Sequence, residues 1–167
     1  MRVFAVSGFS FSGKTFLLEQ IIQQLTSEGL SVVSIKNSME DIKAPEGTDT
    51  WRHSEAGATP TVLLGPNTTT VWHNKRIKIR DLTQSLSADF LLLEGFKELE
   101  VPKFWCVGEK SQEVDVLPRD VKAIVIWEGT SLDTTKKDIP IISNANITRL
   151  VDIVKQSSID INQIADL

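Results

Sequence analysis

A glycine-rich run near the start of the chain has the residue types and spacing of a phosphate-binding loop. It fits the pattern G-x-x-x-x-G-K-[ST] at every fixed position, and it consists of Gly8, Phe9, Ser10, Phe11, Ser12, Gly13, Lys14 and Thr15. Glycines let the backbone curl until successive N–H groups point at phosphate oxygens. Lys14 brings a positive charge to the terminal phosphates, and the Thr15 hydroxyl is a ligand for Mg²⁺. We therefore predict that this loop, with Phe16 beside it, binds a phosphorylated ligand.

The segments on either side of the loop are the elements that must position it. Residues 2–7 are rich in β-formers and predict a strand. The apolar residues after the loop recur at helical spacing: Leu17, Leu18, Ile21, Ile22 and Leu25. Gly29 stands where such a helix would end in a left-handed cap. A helix that begins at the loop adds free N–H groups and a partial positive charge, so the order strand, loop, helix favours phosphate binding over a plain glycine turn.

A second informative run lies at residues 89–94. Its four central residues are apolar, which is typical of a parallel strand buried on both faces. Asp89 begins this strand and Glu94 ends it, so the two acids lie about 16 Å apart. Ligands of an open α/β sheet bind at the carboxyl ends of the strands. We therefore predict that Glu94, and not Asp89, holds Mg²⁺ and acts in catalysis together with Lys14.

The segment that follows the second predicted strand, at residues 30–36, is polar and irregular up to residue 59. It leaves that strand on the ligand side of the sheet. Asp41 is a candidate metal ligand there, and Asp49 and Arg52 are candidate ligand-binding residues. The competing interpretation of both acids is a solvated surface loop. Residues 50–58 predict a short helix with Asp49 as its N-cap.

The rest of the chain predicts further strands and one more long helix. Residues 60–64 and 69–73 flank a turn and predict a hairpin, which is expected to add antiparallel strands to the sheet. A helical patch is predicted at 81–87, with Leu82 and Leu86 facing inward. Strands follow at 103–107, 121–127 and 139–142, then a helix capped by Asn146 and a last helical turn after residue 159. The prediction is one α/β domain over residues 1–167, with a mostly parallel sheet, helices on both faces and a hairpin insertion at about 60–74.

Composition excludes several classes of function. The net charge of −4 argues against binding to nucleic acid or to an anionic membrane surface. No apolar run approaches the ~18 residues of a membrane span, and the glycine loop interrupts any signal peptide. The single cysteine, Cys106, excludes a disulfide framework and a cysteine-cluster metal site. We expect a cytoplasmic protein.

The sequence leaves base recognition open. Guanine-specific phosphate-loop proteins often place Asn-Lys-x-Asp at the end of a later strand, and no such motif ends the 121–127 strand. A tolerated variant, Thr135-Lys136-Lys137-Asp138, lies further along the chain. Glu128 and the run Ser143-Asn144-Ala145-Asn146 are the other candidates.

With these motifs in hand, the chain resembles the MobB-type molybdopterin-guanine dinucleotide biosynthesis proteins of the P-loop NTPase superfamily. The resemblance is carried by the loop 8–15, by Asp89, Leu92 and the run Glu94-Gly95-Phe96-Lys97, and by one polar segment. That segment contains Pro45, Gly47, Asp49, Arg52, Ala56, Gly57 and Ala58. Together these pieces span about the first hundred residues.

The resemblance implies a homodimer that binds GTP and Mg²⁺ and hydrolyses GTP slowly. Its partner would be a molybdopterin guanylyltransferase or another enzyme of molybdenum cofactor synthesis. By matching positions, Lys14 and Thr15 hold the phosphates and metal, Glu94 holds the metal or a catalytic water, and Asp49 and Arg52 contact nucleotide, metal or pterin.

Two other functions stay open. One is a small-metabolite kinase, in which Arg52, Arg76 and Arg80 would belong to a lid. The other is a non-catalytic scaffold that uses nucleotide only as a switch. The sequence names no glutamine or arginine as a water-orienting group, which predicts weak GTPase activity unless a partner supplies that group.

Overall fold

The computed structural model describes residues 1–108, 114, 116–127, 132 and 138–164. The chain groups into two compact units, one made of Met1–Asn37 with Leu86–Leu167 and one made of Ser38–Ser85. The expectation of one domain over residues 1–167 stays a prediction. None of the helices in the described part of the chain has the length and apolar character needed to span a bilayer.

The elements follow one another in mostly alternating order. They are β1 (Arg2–Gly8), α1 (Lys14–Ser27), β2 (Val32–Lys36), α2 (Asp49–Glu55), β3 (Thr61–Leu64), β4 (Thr69–Trp72), α3 (Ile79–Thr83), β5 (Phe90–Glu94), β6 (Lys103–Cys106), β7 (Val121–Ile126), β8 (Ile141–Ser143), α4 (Ile147–Ser157) and β9 (Ile159–Asp160). A short 3₁₀ turn, Ile161–Gln163, follows β9.

The first unit is built on one sheet with the strand order β2-β5-β1-β6-β7-β8. These six strands are parallel, and β9 pairs antiparallel with the start of β1. Val6 and Lys36 both lie opposite Glu94, and Gly8 lies opposite Cys106. The carboxyl ends of β1, β2, β5 and β6 therefore meet at one edge of the sheet, as the sequence predicts for a phosphate-loop fold.

The core lies between one face of this sheet and the helices α1 and α4. Its members are apolar side chains of strands and helices: Phe4, Val6, Leu17, Leu18, Ile21, Leu25, Phe90, Leu92, Phe104, Leu150, Val151 and Val154. Burying each such large side chain stabilises the fold by about 1.5–3 kcal/mol. Every residue of β5 is buried, which confirms its prediction as a central strand. The α/β class with a mostly parallel sheet and an added hairpin is confirmed.

The second unit contains α2, α3 and the hairpin of β3 and β4. The two strands pair antiparallel, from Thr61 opposite Trp72 to Leu64 opposite Thr69, which confirms the hairpin. The expectation that it extends the main sheet is wrong, because within the described residues β3 and β4 form a separate two-stranded sheet. Residues 38–85 form their own compact unit, so the ladder hydrogen bonds of the hairpin are made within it.

Three local predictions need correction. The N-cap of α2 is Thr48, whose hydroxyl accepts from the Trp51 N–H at 3.3 Å, and Asp49 is the first helical residue. Thr48 and Asp49 are both good capping residues, so the residue types alone do not decide which of the two positions is the cap. Leu82 and Leu86 do not face inward; both are exposed. The predicted last helical turn begins instead as β9, because Ile159 and Asp160 pair with the start of β1.

Candidate functional site

The phosphate-binding loop lies between β1 and α1, at the carboxyl edge of the sheet. Gly8 has φ 143° and Gly13 has φ 76°, which are conformations that favour glycine. A Cβ on Gly8 would lie 2.4 Å from the Cys106 carbonyl oxygen, and one on Gly13 would lie 1.7 Å from Cζ2 of Trp127. The loop is therefore packed against the ends of β6 and β7. Gly8 and Gly13 must be glycine for two reasons: their φ angles disfavour other residues, and a Cβ at either position would clash with a neighbour.

Lys14 is held by the loop's own polar atoms. Its Nζ donates to the Phe9 carbonyl oxygen and lies 3.5 Å from the Ser12 hydroxyl oxygen. The Ser12 hydroxyl in turn donates to the Phe9 carbonyl at 2.8 Å. The ammonium group thus points across the loop, which is the place where phosphate oxygens bind in such a motif.

Burial lowers the pKa of Lys14, and the neighbouring ammonium groups of Lys97 and Lys36 lower it further. A thiolate at Cys106 and the carboxylate of Glu94 would raise it. However, burial raises the pKa of the Cys106 thiol to about 12, so Cys106 carries no charge at neutral pH. The charge that opposes this lowering at neutral pH is therefore that of Glu94.

Glu94 is placed directly beside the first turn of α1. Its Oε1 accepts from the Thr15 hydroxyl at 2.7 Å and lies 3.0 Å from Nζ of Lys36. The Glu94 side chain is 8% exposed, against 61% for Lys36. Asp89 lies at the start of β5, where Oδ2 accepts from the N–H and the hydroxyl of Ser31, both at 2.7 Å. Glu94 thus lies at the sheet edge that carries the phosphate loop, and Asp89 lies at the opposite edge, as the strand length predicts.

The oxygens of Thr15 and Glu94 fit a magnesium ion. A hydroxyl and a carboxylate are hard donors, and Mg²⁺ in nucleotide sites keeps several waters and phosphate oxygens as its other ligands. Among the described residues there is no group of three or more histidine, cysteine, aspartate or glutamate side chains that would form an all-protein cage. The donor set therefore suits a metal that arrives with a phosphorylated ligand, and its role here stays a prediction.

Aromatic side chains line the loop on two sides. The rings of Phe9 and Trp105 make an edge-to-face contact with centroids 5.6 Å apart, and the ring centroids of Phe16 and Trp127 are 5.5 Å apart. The sequence predicts Phe9 and Phe16 in the site, but it does not predict the contact of Trp127 with the loop. The available signal was its position directly after β7, because that strand end reaches the same sheet edge.

Two lysines of the site were also missed. Lys36 ends β2 and pairs with Glu94, and Lys97 lies with its Nζ 4.4 Å from the centre of the Phe9 ring. Lys36 is the last residue of β2 and Lys97 lies three positions after the end of β5. This nearness to strand ends at the predicted ligand edge is the signal that would have found them.

The candidate residues of the second unit form a pair of their own. Asp49 and Arg52 lie on α2 with Oδ1 and Nη1 3.9 Å apart, and their side chains are 89% and 72% exposed. Asp41 is exposed in an irregular stretch. Their assignment to nucleotide, metal or pterin stays a prediction.

The candidates for base recognition are only partly described. Glu128 and residues 135–137 lie outside the described residues, while Asp138 lies in a turn before β8. The Asn144 N–H donates to the Ile126 carbonyl at 2.8 Å, so residues 143–146 adjoin the end of β7. The Asn146 side chain accepts from the Arg149 N–H at 3.4 Å, which gives it a structural role as the cap of α4.

Comparison with known proteins identifies the family. The family model for "Molybdopterin guanine dinucleotide synthesis protein B", MobB, matches residues 3–127. The molybdopterin-guanine dinucleotide biosynthesis adapter protein of Haemophilus influenzae is 33% identical over 80% of this chain and 79% of its own length. A putative adapter protein of the same description from Methanocaldococcus jannaschii is 37% identical over 66% of this chain, and the match spans 49% of that protein. The crystal structure of Bacillus subtilis MobB superposes with a TM-score of 0.77 and 26% identity, covering 95% of this chain and 99% of that one. The chain therefore belongs to the MobB family.

Proposed function

We propose that this protein is an adapter of molybdopterin-guanine dinucleotide synthesis that binds GTP with Mg²⁺ and hydrolyses it slowly. The observation that carries the proposal is the meeting of Thr15 and Glu94 at 2.7 Å, next to the ammonium group of Lys14. A cation, a hydroxyl and a carboxylate in this order around a glycine loop are the groups that bind a metal-complexed triphosphate. The biosynthetic role is proposed from the relatives, which are named as adapter proteins of molybdopterin-guanine dinucleotide biosynthesis.

Binding requires a local exchange of partners for Lys14. Its ammonium group donates to the Phe9 carbonyl in the present structure, and phosphate oxygens would take that place. The loop N–H groups and the start of α1 would face the same oxygens. Thr15 and Glu94 would hold Mg²⁺, which when bound neutralises charge on the β- and γ-phosphates.

Slow hydrolysis follows from the groups that surround the acid. Glu94 Oε1 already accepts from Thr15 and pairs with Lys36, an arrangement that suits a metal-side carboxylate more than a base that activates water. The remaining contribution of this chain is electrostatic: Lys14 and the loop amides stabilise charge that develops in the transition state. A partner that supplies a further cation would be expected to raise the rate.

Phe16 and Trp127 bear on the choice of base. They form an aromatic surface next to the loop. Stacking on aromatic rings accepts any base because every base has a π-face. This surface therefore supports nucleotide binding without selecting guanine, and the preference for GTP rests on family membership.

A homodimer is part of the proposal. In the second unit, the hairpin residues Val62, Leu63, Leu64 and Val71 are all exposed apolar side chains. A short two-stranded sheet with apolar side chains exposed is marginal alone in water, and exposed apolar surface marks contact sites. Sedimentation equilibrium of the purified chain measures whether it is a dimer or a monomer.

The test is a calorimetric titration with GTP, GDP and ATP in the presence of Mg²⁺, with phosphate release followed in parallel. We expect GTP to bind more tightly than ATP, and Lys14→Ala to lose most of the affinity for triphosphate. Lys122→Ala, a half-exposed lysine near the start of β7, is the matched control and should bind like the wild type. Binding of GTP by Lys14→Ala at wild-type affinity would refute the loop assignment.

The same titration separates the alternatives. Equal or tighter binding of ATP, with a phosphorylated small product, would favour a small-metabolite kinase. Binding without phosphate release, alone or with a guanylyltransferase, would favour a scaffold switched by nucleotide.

A further inference from the structure

A second lysine stands at the mouth of the phosphate loop. Lys97 follows β5 by three positions, and its Nζ lies 4.4 Å from the centre of the Phe9 ring. The charge of Lys97 lowers the pKa of Lys14, so the two ammonium groups are close enough to repel each other. Phe9 is thus flanked by two cations: Lys14 donates to its carbonyl oxygen, and Lys97 covers its ring.

Lys97 makes no ion pair with a carboxylate in the described part of the chain. The half-buried ammonium group is stabilised there by the ring of Phe9, which offers a weaker interaction than an anion. A lysine held beside another lysine, and not itself paired with a carboxylate of the described residues, favours an anionic ligand that spans both.

The backbone that carries Lys97 is fixed by a buried lysine. Lys103 is 1% exposed, and its Nζ donates to the carbonyl oxygens of Lys97 at 2.8 Å and Leu99 at 2.6 Å. Burial lowers the pKa of Lys103, and Asp120, Glu98 and Glu100 oppose that shift. Burying an ammonium group is costly unless its hydrogen bonds are made, so these two carbonyls hold Lys103 and Lys103 holds the turn.

The other end of the same turn is tied to β1. The Gly95 N–H donates to the Val6 carbonyl at 2.9 Å, and the Ser7 hydroxyl donates to the Gly95 carbonyl. Gly95 and Phe96 have φ values of 94° and 46°, which turn the chain back over the loop. The turn 95–99 is therefore a constructed support, anchored at both ends, that places Lys97 at the loop.

We propose that Lys97 is a second phosphate-contacting residue, which binds the terminal phosphate of a nucleoside triphosphate, and that Lys103 is the positioning residue for it. The proposal rests on the proposed nucleotide binding and names a further residue of that site. Lys14 and Lys97 then approach the terminal phosphate from two sides, while a diphosphate reaches Lys14 alone.

The experiment compares GTP with GDP, and ATP with ADP, by calorimetry in the presence of Mg²⁺. Lys97→Met keeps the length that packs on Phe9 and removes the charge. We expect it to weaken triphosphate binding about tenfold or more and to change diphosphate binding less than twofold. Lys97→Arg should restore most of the preference for triphosphate, and Lys122→Met should match the wild type.

Lys103→Met tests the positioning role. We expect it to reduce the triphosphate preference, and we expect the double variant with Lys97→Met to lose no more preference than Lys97→Met alone. A merely structural Lys103 would lower the unfolding midpoint and leave the triphosphate preference intact. Where Lys103→Met does not fold, the Lys97 variants carry the test.

The outcomes are distinct. Equal weakening of triphosphate and diphosphate in Lys97→Met would overturn the proposal, because Lys97 would then act only by packing on Phe9. Unchanged binding of triphosphate and diphosphate in Lys97→Met would also overturn the proposal, because Lys97 would then not contact the nucleotide. A wild-type protein that binds no nucleotide would refute the proposed function itself, which is a different result from a Lys97 variant that behaves as wild type.

Discussion

The contact between Trp127 and Gly13 makes a strong prediction about stability. Replacement of Gly13 by alanine puts a Cβ 1.7 Å from Cζ2 of Trp127, on a backbone with φ 76°. The left-handed conformation alone costs a non-glycine residue about 1–2 kcal/mol. Overpacking that forces the indole to shift costs about 1–3 kcal/mol more. We expect Gly13→Ala to lower the free energy of unfolding by about 2–5 kcal/mol.

Gly29 offers a matched control. It has φ 82°, and a Cβ there would meet no atom within 4 Å. Gly29→Ala should therefore lose only the backbone contribution, about 1–2 kcal/mol. The difference between the two variants isolates the contact with Trp127.

The assay is urea unfolding without nucleotide, followed by circular dichroism, for wild type, both glycine variants, Trp127→Ala and Gly13→Ala/Trp127→Ala. Removal of the indole relieves the clash, so the double variant should be about 1–3 kcal/mol more stable than the sum of the single effects predicts. Equal losses for Gly13→Ala and Gly29→Ala, with additive behaviour of the double variant, would refute the packing of Trp127 on the loop.

Two further predictions concern titratable groups. Burial raises the pKa of the chain's single cysteine, Cys106, to about 12, so the thiol stays protonated at pH 8. Iodoacetamide should therefore label Cys106 slowly in the native protein and fast in urea. Equal labelling rates, measured by mass spectrometry, would contradict its burial. Hydrogen bonds from Ser31 lower the pKa of Asp89 below 3.8, so its contribution to stability is full above pH 3.8 and is lost as pH falls through the folded-state pKa. Asp89→Asn should therefore show a weaker loss of unfolding free energy on acidification than the wild type, and parallel pH profiles would contradict this.

The placement of much of the candidate site in the fold could be predicted, because it follows from local pattern and one rule of topology. The apolar run of β5 located the strand, the phosphate loop marked the ligand edge, and strand length then separated Glu94 from Asp89. The hairpin could not be assigned to a sheet in this way, since period-2 patterning predicts strands but does not say which sheet they join.

The contacts that the sequence did not reveal are those between distant segments. From its sequence position, Lys103 would be expected to be a solvated lysine at the start of a strand. Its burial follows from the conformation of the preceding turn, which brings two backbone carbonyls to its Nζ. Trp127 is similar, because its contact with Gly13 depends on β7 lying next to β6 and β6 next to β1. Such positions are set by the fold and not by spacing.

The candidate site is rich in lysine although the chain as a whole is acidic. The chain as a whole is acidic, with a net charge of −4, which argues against extended polyanions. At the loop, however, the ammonium groups of Lys14, Lys36 and Lys97 lie near one carboxylate of the described residues, that of Glu94. Each lysine is held by a different group: a carbonyl oxygen, the buried acid and an aromatic ring. Phosphate oxygens could replace the first and the last of these, so the proposed nucleotide would bind at this local site although the net charge of the chain opposes a long polyanion.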